Sequence, residues 1–432
     1  MFLTLHEFLK KFDIINMSKD DFVNTFIITY SGNPTLKGIF DDENIHSKAV
    51  IKTKEDYRYI HRHKIIDYFY DIVITNRQKY LMDFYKSYFE FKNPFELKWN
   101  NVDIYTHCDT KYTENIQNFI FDMQLPCISL QKNDQSRRII RNLNYLDILH
   151  NTIVTNTCKW KTSFWQTFIN MYNKLKLEDR FFCKSCLELC LTDKNKNFSI
   201  NTNVKTLFYH FQQYQPKASI LNPYAINWIL KNLFDGEKLF TPVLSWSSYL
   251  CAFMHSNWNE YVGIDVLQSV CDNTQYLYDY YMNTYPKQVG NKKCKIYCKP
   301  SESFLLDKHF MSVYENYFDA VLICPPYYNM EIYPGEMQSI TLYKTYNEWL
   351  ISYWEKTIQL IYHTLKPCKK FGFIINNYKT LGNVHYDLIN DLNKIAIKYF
   401  KFINAYNLLN RVSPLRVNIK NRTEMLFLYE KK

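Results

Sequence analysis

The apolar run Phe318-Asp319-Ala320-Val321-Leu322-Ile323-Cys324 ends against Pro325-Pro326, and no other feature constrains the fold as tightly. A run this apolar reads as a strand buried on both faces. The prolines lack the N–H that a sheet requires and hold the chain extended, so pairing must stop near Cys324. Similar runs recur on either side, separated by helical patterns. Strands are expected at 238–244, 261–265, 295–298, 318–324 and 371–375. Helices are expected at 246–254, 267–281, 346–363 and 387–400. Such alternation predicts a doubly wound α/β sheet. The runs 402–408 and 425–429 lie too close for a normal helix between them, which predicts an antiparallel hairpin at one edge. In an open sheet of this kind ligands bind beyond the carboxyl ends of the strands, and Cys324 to Tyr327 stand at such an end.

Residues 1–200 have another texture: aromatic-rich helices, with candidates at 56–91 and 163–177, as far as the polar punctuation Asp193-Lys194-Asn195-Lys196-Asn197. They are a candidate substrate-recognition region, and residues 201–432 hold the sheet. The chain has 432 residues, 47% hydrophobic and 22% charged, which excludes global disorder. It carries 37 Tyr and 31 Phe but only 8 Gly, so few glycine loops are available. A net charge of +11 fits a nucleic-acid partner and equally a plain basic surface. Arg137-Arg138-Ile139-Ile140-Arg141 with Lys132, and Lys159-Trp160-Lys161 with Trp165, suit phosphate contacts or a solvated helix face. Twelve cysteines without a secretory leader point to a reducing, cytoplasmic setting. No apolar stretch is long enough for a membrane span. Cys183, Cys186 and Cys190 lack the second ligand pair that zinc requires and read as one small apolar helix face, so no metal is expected.

The segment after the strand is more specific. Cys324-Pro325-Pro326-Tyr327-Tyr328-Asn329-Met330-Glu331-Ile332-Tyr333, then Gln338-Ser339, then Tyr346-Asn347-Glu348-Trp349, resembles S-adenosylmethionine-dependent methyltransferases that modify exocyclic amino groups of bases, adenine N6 or cytosine N4. The phage and bacterial DNA methylase subgroup of that family is the nearest in pattern. The resemblance covers about residues 215–432 and implies a Rossmann-like methyltransferase sheet with S-adenosylmethionine as cofactor. It implies catalytic roles for Cys324, Pro325, Pro326 and Tyr327. It implies cofactor contacts for Asn222, Pro242, Ser245, Trp246, Asp265 and Glu302. The acid ending Tyr261-Val262-Gly263-Ile264-Asp265 would bond the ribose hydroxyls, since an acceptor-only carboxylate matches a diol. Nucleic acid is the implied substrate, DNA ahead of RNA. Such relatives are common in viruses, so a viral protein in host cytoplasm also fits.

Two departures from the pattern stand out. The family's loop, roughly Asp-Pro-x-Ala-Gly-Trp-Gly-Gly-Arg, aligns with Thr241-Pro242-Val243-Leu244-Ser245-Trp246-Ser247-Ser248-Tyr249, where serines replace all three glycines. Cys324 occupies the first catalytic position, and a thiol is a weak donor and a weak acceptor. Two functions therefore stay open: an amino methyltransferase, or a degenerate relative that binds nucleic acid or serves as a partner subunit.

Overall fold

The expected strands form in the computed structural model, which describes residues 1–13, 15–22, 24, 48–53, 56–61, 70–99, 102–105, 115–116, 119–120, 127–130, 135–154, 163–174, 217–380, 382–409 and 424–432. Among the described residues nine strands make the main sheet: β1 (Val102–Tyr105), β2 (Cys127–Leu130), β3 (Lys238–Thr241), β4 (Glu260–Asp265), β5 (Lys293–Cys298), β6 (Phe318–Ile323), β7 (Leu365–Ile375), β8 (Phe400–Leu409) and β9 (Glu424–Lys431). Their spatial order is β5-β4-β3-β6-β7-β9-β8-β2-β1. The five strands from β5 to β7 are parallel, and β9 runs against both β7 and β8. All six residues of β6 are buried, as a strand covered on both faces must be. The chain is a Rossmann-like α/β protein.

Connections fix where a ligand can sit. From β3 the chain proceeds through the helix Ser248–Met254 to β4, moving one way along the sheet. From β6 it proceeds through a continuous helix (Tyr346–Glu348, Trp349–Glu355, Lys356–Thr364) to β7, moving the other way. Right-handed crossovers in opposite directions place these helices on opposite faces. The crevice between them opens at the carboxyl ends of β3 and β6, the switch point of the sheet. The β3–β6 pair is locked from the other end. Asp319 Oδ2 accepts from the backbone N–H of Glu237 and Lys238 at 3.0 and 3.1 Å, and Oδ1 faces Lys366 Nζ at 2.6 Å. Gly236, at φ +139°, lies so close to Asp319 that a Cβ would meet its side chain at 2.2 Å.

Three expectations need correction. The terminal hairpin is not an edge, because β8 pairs in parallel with β2, and β1 continues the sheet. The mainly helical N-terminal half thus also supplies two strands of the sheet. Asp56–His61 is a strand paired with Lys48–Thr53 where a helix was expected. The chain divides into a unit of residues 1, 91–148 and 219–432, and a second of residues 2–90 and 149–218. In the second, Leu5–Leu9, Arg77–Tyr88 and Phe164–Lys174 meet through rings. Phe84 stacks on Phe168 at 4.7 Å, and Phe8 packs on Phe12 at 5.2 Å. Trp165 is buried in that cluster and Arg141 is buried in its own unit, so neither presents a solvated basic–aromatic face. Lys132, Lys159, Trp160, Lys161 and the cysteines at 183, 186 and 190 lie outside the described residues. Among the described residues no helix is long and apolar enough to cross a membrane, and no cluster of ligating side chains could hold a metal ion.

Candidate functional site

Four loops converge at the switch point. The first follows β3. Pro242 is buried, and the chain then turns through Ser245, Trp246 and Ser247 with φ of 46°, 58° and 71°. Glycine is the residue for such left-handed geometry, and three consecutive non-glycine residues there are strained at about 1–2 kcal/mol each. The turn holds because its surroundings over-determine it. Leu244 N–H donates to Asp265 Oδ2 at 3.2 Å, and Trp246 Nε1 donates to the Ser219 carbonyl at 3.1 Å. Asn144 Nδ2 donates to the Trp246 carbonyl at 2.9 Å, and the Ser247 hydroxyl pairs with Thr274 at 2.7 Å. The turn is thus left-handed with serine, and not glycine, at its positive-φ positions 245 and 247.

The second loop follows β4. Asp265 Oδ1 accepts from Val266 and Leu267 N–H at 2.8 and 3.1 Å, so the carboxylate ties both loops together. Burial raises its pKa, with these backbone donors opposing. The third follows β5. Glu302 is buried, accepts from the Tyr343 hydroxyl at 2.9 Å, and also has its pKa raised by burial.

The fourth loop is the Pro-Pro-Tyr segment after β6. Pro325 is buried, while Cys324, Pro326 and Tyr327 are half-buried. Burial, and next the carboxylates of Glu424 and Glu331, push the Cys324 thiol well above its ordinary pKa. The thiol is thus neutral and is not a nucleophilic thiolate. Tyr327 packs edge-on to Tyr378 with centroids at 6.0 Å. Tyr378 and Tyr386 stack across a short hairpin and are both bonded to the Asn329 side chain. Glu331 accepts from Ser219 N–H at 3.0 Å and from the Tyr333 hydroxyl, and the Tyr333 ring meets Trp246 at 5.5 Å. The Ser219 peptide thereby grips the first loop by its carbonyl and the fourth by its N–H.

The Pro-Pro-Tyr segment and Asp265 share one rim. The loop bonded to Asp265 through Leu244 N–H is bonded through Trp246 to Ser219, whose N–H holds Glu331 of the Pro-Pro-Tyr segment. Of the predicted residues, Pro242, Ser245, Trp246, Asp265, Glu302 and Cys324 to Tyr327 stand on these four loops. Asn222 is placed differently: its side chain accepts from Tyr224 N–H at 2.9 Å and caps the helix Pro223–Asn232, with Pro223 at the first position. Sequence reasoning missed Ser219, whose contribution is its backbone. It also missed Tyr249 and Tyr353, which look like ordinary core aromatics, and Glu424, which lies one residue outside the expected strand 425–429.

No family model and no curated protein matches the chain. Solved structures do resemble it. A SAM-dependent methyltransferase from Methanosarcina mazei is 9% identical over 49% of this chain and 99% of its own, with a TM-score of 0.31. A SAM-dependent O-methyltransferase from Thermotoga maritima is 10% identical over 50% and 68%, with a TM-score of 0.30. A candidate DNA modification methylase from Thermus thermophilus is 16% identical over 28% and 49%, with a TM-score of 0.22. These are likenesses of fold.

Proposed function

We propose that this rim binds S-adenosylmethionine and that the chain methylates an exocyclic amino group of a nucleic-acid base, DNA in preference to RNA. One observation carries the reading: the Pro-Pro-Tyr loop and the strand-end carboxylate Asp265 flank the same switch point, joined through the Ser219 peptide and Trp246. The residues fit the cofactor. The loop makes a left-handed turn of the kind that brings backbone close to a ligand, and two buried hydroxyls without partners among the described residues, Ser248 Oγ and Tyr353 Oη, belong to the elements around it. Asp265 would take the ribose hydroxyls, with Glu302 beside the base and residues 242–248 along the methionine part.

S-adenosylmethionine, when bound, supplies an electrophilic methyl group. The protein's share is positioning. Tyr327 offers a face on which an extruded base stacks, worth about 1–3 kcal/mol. The Pro325 carbonyl accepts a hydrogen bond from the amine and turns its lone pair toward the methyl group. Holding both reactants in line supplies most of the remaining rate. Cys324 contributes little acceptor strength, and by analogy with a lost oxyanion donor that costs about 3 kcal/mol.

Cys324 and the serines also favour a second reading, a binding module without transfer. Calorimetric titration with S-adenosylmethionine and a labelled-methyl assay on nucleic acid separate the two. On the enzyme reading the cofactor binds, and Tyr327→Ala cuts transfer about 10- to 100-fold while cofactor affinity stays unchanged. Binding of nucleic acid with no uptake of cofactor would leave only the second reading.

A further inference from the structure

Tyr353 is 3% exposed and its hydroxyl has no hydrogen-bond partner among the described residues. A buried, unpaired hydroxyl is costly, and native proteins keep such groups where something else completes them. Its position says what that is. Tyr353 stands in the π-helical stretch Trp349–Glu355, a rare backbone form that recurs at functional sites. It packs with Trp349 at 5.3 Å in the core layer of its face. Its helix packs against the turn Ser301–Leu306 that carries Glu302, and its hydroxyl feels the charges of Glu302 and Asp265. Tyr249, fully buried, lies against the Cys324 backbone from the helix on the other face.

Neither neighbouring carboxylate answers Tyr353. Glu302 is engaged by Tyr343, and Asp265 by three backbone N–H groups. The surroundings combine acceptor-only carboxylates with a phenol that can donate. A ligand that satisfies them must carry hydroxyl or amino donors and ring or ether acceptors on one edge, which is the chemistry of a nucleoside.

We propose that the Tyr353 hydroxyl is a ligand contact, donating to an acceptor of a nucleoside held between Asp265 and Glu302; this rests on the cofactor reading above and adds a residue to it. Tyr353→Phe removes that hydroxyl alone, and its two effects have opposite signs. Without ligand the variant melts at the wild-type temperature or a few degrees above it, because an unsatisfied polar group has gone. With S-adenosylhomocysteine its affinity by calorimetry falls about tenfold, and the ligand-induced rise in Tm shrinks accordingly. A variant that melts well below wild type would mean the hydroxyl is bonded within the protein, and the proposal is wrong. Unchanged S-adenosylhomocysteine affinity in a variant of wild-type stability overturns the contact while leaving the cofactor reading intact. If wild-type protein itself takes up no S-adenosylhomocysteine, the cofactor reading falls and this contact falls with it.

Discussion

Single residues carry the tension in this protein. Ser245, Trp246 and Ser247 hold a backbone that glycine would hold without strain. At Ser245 the side chain makes none of the bonds that lock the turn, so glycine there relieves more native strain than it adds in chain entropy. Ser245→Gly is expected to stabilise the protein by about 1 kcal/mol, read as a higher urea midpoint at unchanged slope. A lower midpoint would show that the serine is the better residue in that turn. The same position shows what a motif alone conveys. Pro242 and Trp246 match the loop of the family that the sequence resembles, but serines stand where that pattern has glycines. The turn persists because Asp265, Ser219, Asn144 and Thr274 all grip it, and only one of these is a neighbour in the loop's own motif set.

At the scale of elements, the pattern of apolar runs was enough to place seven strands. The runs at 238–244, 261–265, 295–298, 318–324, 371–375, 402–408 and 425–429 all became strands, within a few residues at each end except at 371–375, whose strand begins at Leu365. Buried strands are apolar for a physical reason, since both faces lie under helices. The pairing of β8 was not legible. Phe400–Leu409 reads the same whether its outer side meets water or another strand, and the strand that covers it, Cys127–Leu130, arrives from more than 270 residues upstream in sequence. This has a consequence for dissection. A fragment beginning at residue 217 keeps β3 to β9 but leaves β8 as a bare edge, and long exposed edges aggregate. Size-exclusion chromatography is expected to show the fragment as oligomers or aggregate where the full chain elutes cleanly. A monodisperse, cooperatively melting fragment would show that β1 and β2 are dispensable.

For the molecule as a whole, acid acts in opposite directions at the two ends of the strands. At the carboxyl rim, burial raises the pKa of Asp265, Glu302 and Glu331, so the folded state holds protons more tightly there than the unfolded chain. Those groups gain stability as the pH falls through their raised values. Beyond the end of the helix Ser248–Met254 the sign reverses. His255 stacks on Trp99 at 3.9 Å, pairs with the Tyr281 hydroxyl at 2.9 Å, and is pushed down to about 3 by burial and then by Lys292. Unfolding frees a histidine that takes a proton near ~6.5, so its contribution is lost as the pH drops below that value. At pH 5 the loss is about 2 kcal/mol. His255→Gln should therefore lose less stability than wild type between pH 7 and pH 5, measured by thermal melts at each pH. Equal losses would show that His255 does not carry the acid response.

The sequence by itself determined the alternation of strand and helix, the stop at Pro325-Pro326 and hence the rim on which chemistry can occur. These follow from local rules: period, apolarity and the missing proline N–H act within a few residues. Tertiary structure alone decided that the serine loop makes a left-handed turn, that the backbone of Ser219 grips two loops, and that the Tyr353 hydroxyl is buried without a partner among the described residues. Each of those is settled by groups distant in the chain, and their cost or benefit exists only once burial has removed water from around them.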